Sequence, residues 1–209
     1  MRLVVVSAGL GVPSSTRLLG DRLAAAVAGR ASAEVRVVEV RDLAVEIAHN
    51  FTSGFPGRNL SAAFDEVAAA DGLIVVTPVV PEARLDVASA SYSGLFKSFF
   101  DTLSVHDEDA LAGKPVLIAA TGGTARHSLV LDHALRPLFA HLKAVVVPTG
   151  VYAASEDWGA GGLDGRIERA AGELAALMRG TAAEHAAGRA PEVVPFEERL
   201  AALRAATDG

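Results

Sequence analysis

Residues 72–77 read GLIVVT, a run in which aliphatic side chains follow one another without polar alternation. The same continuous pattern occurs in RLVVVS at 2–7 and in KPVLIAAT at 114–121. A strand that helices cover on both faces has this pattern, whereas a strand with one solvated face alternates between apolar and polar residues. The three runs therefore predict the central strands of a parallel sheet.

Two further runs predict strands at 34–40 (EVRVVEV), where Val alternates with charged residues, and at 144–152 (AVVVPTGVY). Between the strands, apolar residues recur at the spacing of amphipathic helices. The predicted helices are 16–29, 60–70, 93–103, 128–142 and 164–179, the last with Asp164 as its N-cap and Gly180 as its stop. This alternation of strands and helices predicts a doubly wound α/β fold with right-handed crossovers.

The length of 209 residues suits one domain, which we place at residues 1–180, followed by a tail at 181–209 with a short helix at 196–205. The chain has no cysteine, which excludes disulfides, thiolate metal sites and thiol nucleophiles and favours an intracellular location. No apolar run reaches the roughly 18 residues that span a bilayer, so we expect a soluble, cytoplasmic protein. The formal charge of −6 argues against binding to nucleic acids or anionic membranes.

In a doubly wound sheet, ligands bind beyond the carboxyl ends of the strands, where the winding reverses. The first loop at this edge is SAGLGVPSSTRLL, 7–19, which leads straight into a helix and contains the hydroxyl residues Ser7, Ser14, Ser15 and Thr16. Hydroxyl and backbone N–H groups at a helix N-terminus favour an anion such as phosphate. The simpler interpretation is that Ser14 or Ser15 only caps the helix. The loop lacks G-x-G-x-x-G and a Walker A lysine, which disfavours a dinucleotide site and a P-loop.

The second loop follows the strand at 72–77. Pro78 closes that strand, and the next helix opens with Ser91, Tyr92, Ser93 and Gly94. An alternative interpretation makes Ser93 the N-cap of this helix and Tyr92 an apolar staple against it. The three aromatic residues that follow at helical spacing, Phe96, Phe99 and Phe100, are interpreted as core residues.

The third loop is ATGGTARHSLVL, 120–131. Two adjacent glycines after a buried strand let the backbone approach a flat ligand and donate N–H groups to it. The alternative is an ordinary tight turn at Gly122 and Gly123. Further donors surround the glycines, namely Thr121, Thr124, Arg126 and His127.

Four stretches in these loops and the helices after them resemble the flavodoxin-like NAD(P)H-dependent FMN reductases. The stretches are TP at 77–78, SYSGLFKSFFD at 91–101, GKPVLIAATGGTARHSL at 113–129 and HALRP at 133–137. The resemblance covers roughly residues 1–180 and is nearest to the subgroup that supplies reduced flavin to luciferase-like monooxygenases. It implies a flavodoxin-like, five-stranded parallel sheet in the order 2-1-3-4-5, with helices on both faces and FMN at the switch point.

The resemblance also implies which residues bind the cofactors. The phosphate loop of the family falls on Ser7, Ser14, Ser15, Thr16 and Arg17. The second flavin loop falls on Pro78, Val79, Ser91, Tyr92, Ser93 and Gly94, and the third on Thr121, Gly122, Gly123 and Thr124. A 2′-phosphate on the nicotinamide nucleotide would need an arginine, for which Arg17 and Arg126 are the candidates.

The implied reaction transfers a hydride from NADPH or NADH to FMN. The cofactors carry this chemistry, so the sequence needs no catalytic acid or base and no metal. The HALRP stretch lies on a helix that builds oligomers in similar proteins, which implies a homodimer or homotetramer. A flavin-dependent monooxygenase is the implied protein partner.

The chain departs from the family at 80–89, VPEARLDVAS, which stands between two stretches that are almost contiguous in similar reductases. This insertion lies beside the flavin ring in the implied site, where it lengthens a lid, contacts another subunit or changes flavin affinity. Two other functions stay open: a quinone or azo reductase with tightly bound FMN, and a non-enzymatic flavodoxin-like electron carrier.

Overall fold

A computed structural model describes residues 1–79 and 91–187, and over these ranges six strands form one parallel sheet. The strands are β1 (Arg2–Ser7), β2 (Glu34–Glu39), β3 (Gly72–Pro78), β4 (Pro115–Gly122), β5 (Val145–Val146) and β6 (Val151–Ala154). Their order is β2-β1-β3-β4-β5, and β6 also pairs with β4. The predicted strand order is confirmed, with one strand more than predicted.

Helices cover both faces of the sheet, as predicted. They are α1 (Ser15–Ala31), α2 (Ala44–Ser53), α3 (Arg58–Ala68), α4 (Gly94–His106), α5 (Arg136–His141) and α6 (Gly162–Ala187). The buried side chains of α1 and α6 share one apolar cluster, and those of α3, α4 and α5 share the other. Successive residues of a strand point to opposite faces, so β1 sends Val4 into one cluster and Val5 into the other.

Aromatic rings fill the core between α4 and α5. The ring of Phe100 lies 4.9 Å from the rings of both Phe96 and Phe139, measured between centroids, and 5.2 Å from that of Phe99. All four rings are fully buried. The prediction that Phe96, Phe99 and Phe100 are core residues is confirmed.

The single strand predicted at 144–152 is wrong, because the chain forms two short strands there. β5 pairs with the start of β4, and β6 pairs with its end. Pro148, which lies between them, has no N–H for the ladder. The guanidinium of Arg136 donates to the carbonyl oxygens of Val147 (3.0 Å) and Pro148 (2.9 Å), so the interrupted backbone keeps its partners.

The continuous helix predicted at 128–142 is also wrong. A 3-10 turn occupies Ala125–His127, a π-helical turn occupies Leu131–Leu135, and only then does α5 begin. Pro137 donates no backbone hydrogen bond, which removes one bond of a regular α-helix. The N–H of Arg136 instead reaches the carbonyl of Leu131, five residues back.

Three further differences concern helix ends. The prediction contained no helix at Ala44–Ser53, where α2 forms and buries Ile47 and Asn50. Gly180 does not stop α6, which continues to Ala187, and Asp164 lies in the first turn of that helix and is not its cap. The domain boundary at residue 180 stays a prediction. The insertion at 80–89 and the tail helix at 196–205 lie outside the described residues.

Within residues 1–79 and 91–187, the helices are too short or too polar to cross a bilayer.

The aromatic cluster supports a matched pair of substitutions. Phe100 is 1% exposed and Phe55, in the loop after α2, is 76% exposed. We expect Phe100→Ala to lower the free energy of unfolding by about 3–5 kcal/mol, because it leaves a cavity among three other rings. Phe55→Ala should change it by less than about 0.5 kcal/mol. Urea denaturation of both variants measures the difference, and similar losses would place Phe100 outside the core.

Candidate functional site

Four strand ends meet at one edge of the sheet. The parallel registers align Ser7 with Val76, two residues before β3 ends, and place Pro78 beside Thr121 and Gly122 beside Ala154. Because all these strands run in the same direction, the loops that follow them converge. They surround two adjoining clefts.

The first-loop cleft lies at the start of α1 and has a volume of about 320 Å³. The hydroxyl of Ser14 accepts the N–H of Arg17 (3.2 Å), so Ser14 is the N-cap. A Cβ atom at Gly9 would overlap the Ser14 hydroxyl, which explains why glycine occupies this position. The residues that line the first-loop cleft are Leu10, Gly11, Pro13, Ser14, Ser15, Thr16, Pro78 and Val79.

The central cleft lies beside the first and has a volume of about 420 Å³. Its walls combine apolar side chains with a stretch of glycine backbone. The lining residues are Ser15, Pro78, Val79, Thr121, Gly122, Gly123, Ser155 and Trp158. Ser15, Pro78 and Val79 belong to both clefts, so one elongated ligand can occupy the two together.

Short-range contacts hold the loops against each other. The buried hydroxyls of Thr16 and Thr121 are 2.9 Å apart and join the first loop to the third. The N–H of Val79 donates to the carbonyl of Thr121 (2.7 Å), which joins the second loop to the third. Arg41 donates to the carbonyl of Gly11 (2.8 Å) and so fixes the tip of the first loop. These contacts fix the positions of the loops relative to one another.

Two predicted residues of the first loop have other surroundings. Ser7 is fully buried at the end of β1, and its hydroxyl has no hydrogen-bond partner among the described residues. Arg17 donates to Asp21 (2.7 Å) and Glu39 (2.6 Å). These hydrogen bonds raise the pKa of the Arg17 guanidinium above its usual value. The role of Arg17 at a phosphate stays a prediction.

The predicted residues Ser91 to Gly94 form the start of α4. The hydroxyl of Ser93 accepts the N–H of Phe96 (3.2 Å), and the N–H of Ser93 donates to Thr77 (3.1 Å). The ring of Tyr92 lies 5.9 Å from that of Phe96. The interpretation of Ser93 as a cap and Tyr92 as a staple is thus confirmed, and their contact with flavin stays a prediction.

An antiparallel bridge joins Val79 to Tyr92. The two residues that flank the insertion in this bridge therefore lie next to each other, and Val79 lines both clefts. The two halves of the second loop remain together for this reason.

The third loop contributes glycines to the central cleft. A Cβ atom at Gly122 would overlap the hydroxyl of Tyr152, whereas a Cβ at Gly123 would meet no atom within 4 Å. Thr124 accepts the N–H of Arg126 (3.2 Å) through its side chain, and its carbonyl accepts the hydroxyl of Tyr152 (2.8 Å). Thr124 and Arg126 are exposed, and neither lines either cleft in the described part of the chain.

A fourth loop was missed by the sequence prediction. The 3-10 turn Ser155–Gly159 follows β6, and two of its side chains, Ser155 and Trp158, line the central cleft. The signal was present in the sequence, since SEDWG follows the predicted last strand closely and contains the only tryptophan of the chain.

Burial and nearby charges shift two pKa values in this region. Burial, together with the carboxylates of Glu156 and Asp157, raises the pKa of the Tyr152 phenol, whose hydroxyl donates to the carbonyl of Thr124. Burial alone would raise the pKa of Asp157. Hydrogen bonds from Arg166 and the N–H of Ala154, with the positive charge of Arg166, outweigh it and bring that pKa below its usual value.

The sequence model of the family described as NADPH-dependent FMN reductase matches residues 1–159. The chain belongs to this family. A relative from Pseudomonas aeruginosa named FMN reductase (NADPH) is 40% identical over 157 residues, which cover 75% of this chain and 78% of the relative. The NADH-dependent FMN reductase SfnE of Pseudomonas putida is 37% identical over 190 residues, covering 89% and 90%.

A solved structure agrees with this assignment. An oxidoreductase from Corynebacterium diphtheriae is 46% identical, covers 86% of this chain and 98% of its own, and superposes with a TM-score of 0.78. The family resemblance, the flavodoxin-like fold and the cofactors FMN and NADPH or NADH that the sequence implied are therefore confirmed.

The residues of this FMN reductase fit a flavin mononucleotide. The first-loop cleft offers hydroxyls at the N-terminus of a long helix, which suits a phosphate. The central cleft offers an open position at Gly123 and apolar walls, which suit a flat ring. A flavin held by these residues would supply the redox chemistry, that of hydride transfer with a nicotinamide nucleotide. The chain itself binds and orients the two nucleotides.

The contact between Gly122 and Tyr152 gives a double-mutant test. We expect Gly122→Ala to cost about 1–3 kcal/mol of unfolding free energy, because the new methyl overlaps the Tyr152 hydroxyl. Tyr152→Phe alone should cost about 1 kcal/mol through the lost hydrogen bond. The double variant should be more stable than the sum predicts, since the overlapping oxygen is gone. Additive losses in chemical denaturation would show that the two residues do not compete for this space.

Proposed function

We propose that this protein is an NAD(P)H:FMN oxidoreductase that uses FMN as a dissociable substrate and supplies reduced FMN to a flavin-dependent monooxygenase. The observation that carries the proposal is the pair of adjoining clefts. The first-loop cleft has a hydroxyl-rich helix N-terminus, and the central cleft beside it is lined by Gly122 and Gly123. Membership of the FMN reductase family supports the reaction. The resemblance to the subgroup that serves luciferase-like monooxygenases supports the partner.

The same site would bind the cofactors through the residues that line it. In this proposal, Ser14, Ser15 and Thr16 hold the phosphate of FMN, and the backbone from Thr121 to Gly123 contacts its ring. Pro78 and Val79 contribute the apolar wall. These residues are the subset of the predicted site that lines the two clefts.

Both nicotinamide nucleotides belong to the proposal. One relative is named for NADPH and the other for NADH, so sequence identity favours neither. Arg126 is the better candidate for a 2′-phosphate, since its exposed side chain makes no ion pair within residues 1–79 and 91–187. Arg17 is engaged by Asp21 and Glu39.

We also propose a homodimer or homotetramer and a cytoplasmic location. The HALRP stretch, which builds oligomers in similar proteins, spans the end of the π-helical turn and the start of α5. Leu129, just before that turn, is 61% exposed. Light scattering after size-exclusion chromatography measures the oligomer size.

Purified protein distinguishes the functions. We expect a preparation with little flavin absorbance that oxidises NADPH or NADH, followed at 340 nm, only when FMN is added. A yellow protein that reduces quinones or azo dyes without added flavin would favour the tightly bound alternative. Bound FMN without oxidation of either nucleotide, whatever the acceptor, would favour an electron carrier and refute the proposal.

Gly123→Val tests the position of the ring. The new side chain has open space in the folded protein, so stability should be retained, but it projects into the region where the flavin would lie. We expect at least a hundredfold loss of FMN-dependent NAD(P)H oxidation, because about 3 kcal/mol of contact is lost. The matched control is Gly29→Val near the far end of α1, where the space is equally open. Equal activity of the two variants would place the ring elsewhere.

A further inference from the structure

Trp158 has no part in the assignment above. It is the only tryptophan of the chain, and it lines the central cleft together with Pro78 and Val79. It is also the only aromatic residue among those that line this cleft in the described ranges. A half-buried indole beside glycine backbone is a surface on which a flat ring can stack.

The turn that carries Trp158 is fastened at several points. Asp157 accepts the N–H of Ala154 (2.8 Å) and an N–H of the Arg166 guanidinium (2.8 Å). The N–H of Ala125, in the third loop, donates to Glu156 (3.4 Å). The segment that follows the glycine stretch is thus linked to the Trp158 turn.

The indole ring is itself held in place. The guanidinium carbon of Arg22 lies 5.9 Å from the ring centroid, within the range of a cation–π contact, and Arg22 is paired with Asp164. Apolar side chains of the α1 and α6 cluster pack against the ring. A ring that is already ordered loses little entropy when a ligand stacks on it.

We propose that Trp158 contacts the isoalloxazine ring of FMN and contributes to flavin affinity, an inference that rests on the proposed function. A mononucleotide with its phosphate at Ser14–Thr16 extends its ring into the central cleft, because Ser15, Pro78 and Val79 belong to both clefts. Gly122 and Gly123 offer only backbone there. Trp158 therefore supplies the aromatic surface of the site.

The test compares Trp158→Phe and Trp158→Ala with the native protein and with Phe55→Ala, an exposed aromatic residue outside both clefts. The dissociation constant of oxidised FMN is measured by equilibrium dialysis, and the fluorescence of bound FMN at saturation. Steady-state kinetics give the KM values for FMN and NADPH. An indole in contact with an excited flavin quenches it by electron transfer, which a purely structural tryptophan does not do.

We expect Trp158→Ala to raise the dissociation constant of FMN roughly five- to tenfold, as the loss of an aromatic pair predicts. Trp158→Phe should stay within about threefold of the native value, because it keeps a ring. Bound FMN should fluoresce more strongly in both variants, and Phe55→Ala should match the native protein in every measurement. If Trp158→Ala does not fold, the fluorescence of Trp158→Phe decides.

Three results would overturn the inference. The first is an unchanged FMN dissociation constant and unchanged FMN fluorescence in both Trp158 variants. The second is a change confined to the KM for NADPH, which would assign the indole to the nicotinamide nucleotide. The third is an equal change in these measurements in Phe55→Ala. In each case, native FMN-dependent oxidation would leave the proposed function standing. Conversely, a native protein that binds FMN with quenched fluorescence but oxidises neither nucleotide would refute the function and retain the contact.

Discussion

The structure depends on three parallel strands that are apolar on both faces. β1, β3 and β4 have almost no exposed side chain, so each must be covered by helices above and below the sheet. Parallel pairing requires a crossover after each strand, and every crossover leaves from the same edge. The loops after Ser7, Pro78 and Gly122 therefore meet, although more than a hundred residues separate Thr16 from Thr121. A site at this edge is a consequence of how the core is buried.

The loops become a defined site through contacts between them. The hydroxyl pair of Thr16 and Thr121 and the bond from Val79 to the carbonyl of Thr121 set the spacing of the first three loops. Tyr152 occupies the space that a side chain at position 122 would need and fastens the backbone at Thr124. Gly123 is free of such constraint. The two neighbouring glycines therefore differ in role, the first for packing and the second for open space in the cleft.

Several residues with suitable chemistry were predicted as ligands, and the tertiary structure gives them protein partners. The hydroxyl of Ser93 accepts an N–H group at the N-terminus of α4, and the guanidinium of Arg17 donates to Asp21 and Glu39. Residue type shows that a group can bind a phosphate or a ring edge. Whether a nearer partner already satisfies that group depends on distances that a sequence does not contain. Asp21 is one helical turn from Arg17, whereas Glu39 arrives from the end of β2.

The sequence by itself determined the α/β class, the buried strands, the resemblance to FMN reductases and a helix cap at Ser14 or Ser15, because these features depend on local patterns; the structure identifies Ser14 as the cap. The strand order, which that resemblance implied, was confirmed by the structure. Only the tertiary structure divided the last strand, since the carbonyls of Val147 and Pro148 are satisfied by Arg136 from another element. It also brought Trp158 into the central cleft, through the pairing of β6 with β4. Both outcomes depend on contacts between segments that are distant in the chain, which no local pattern records.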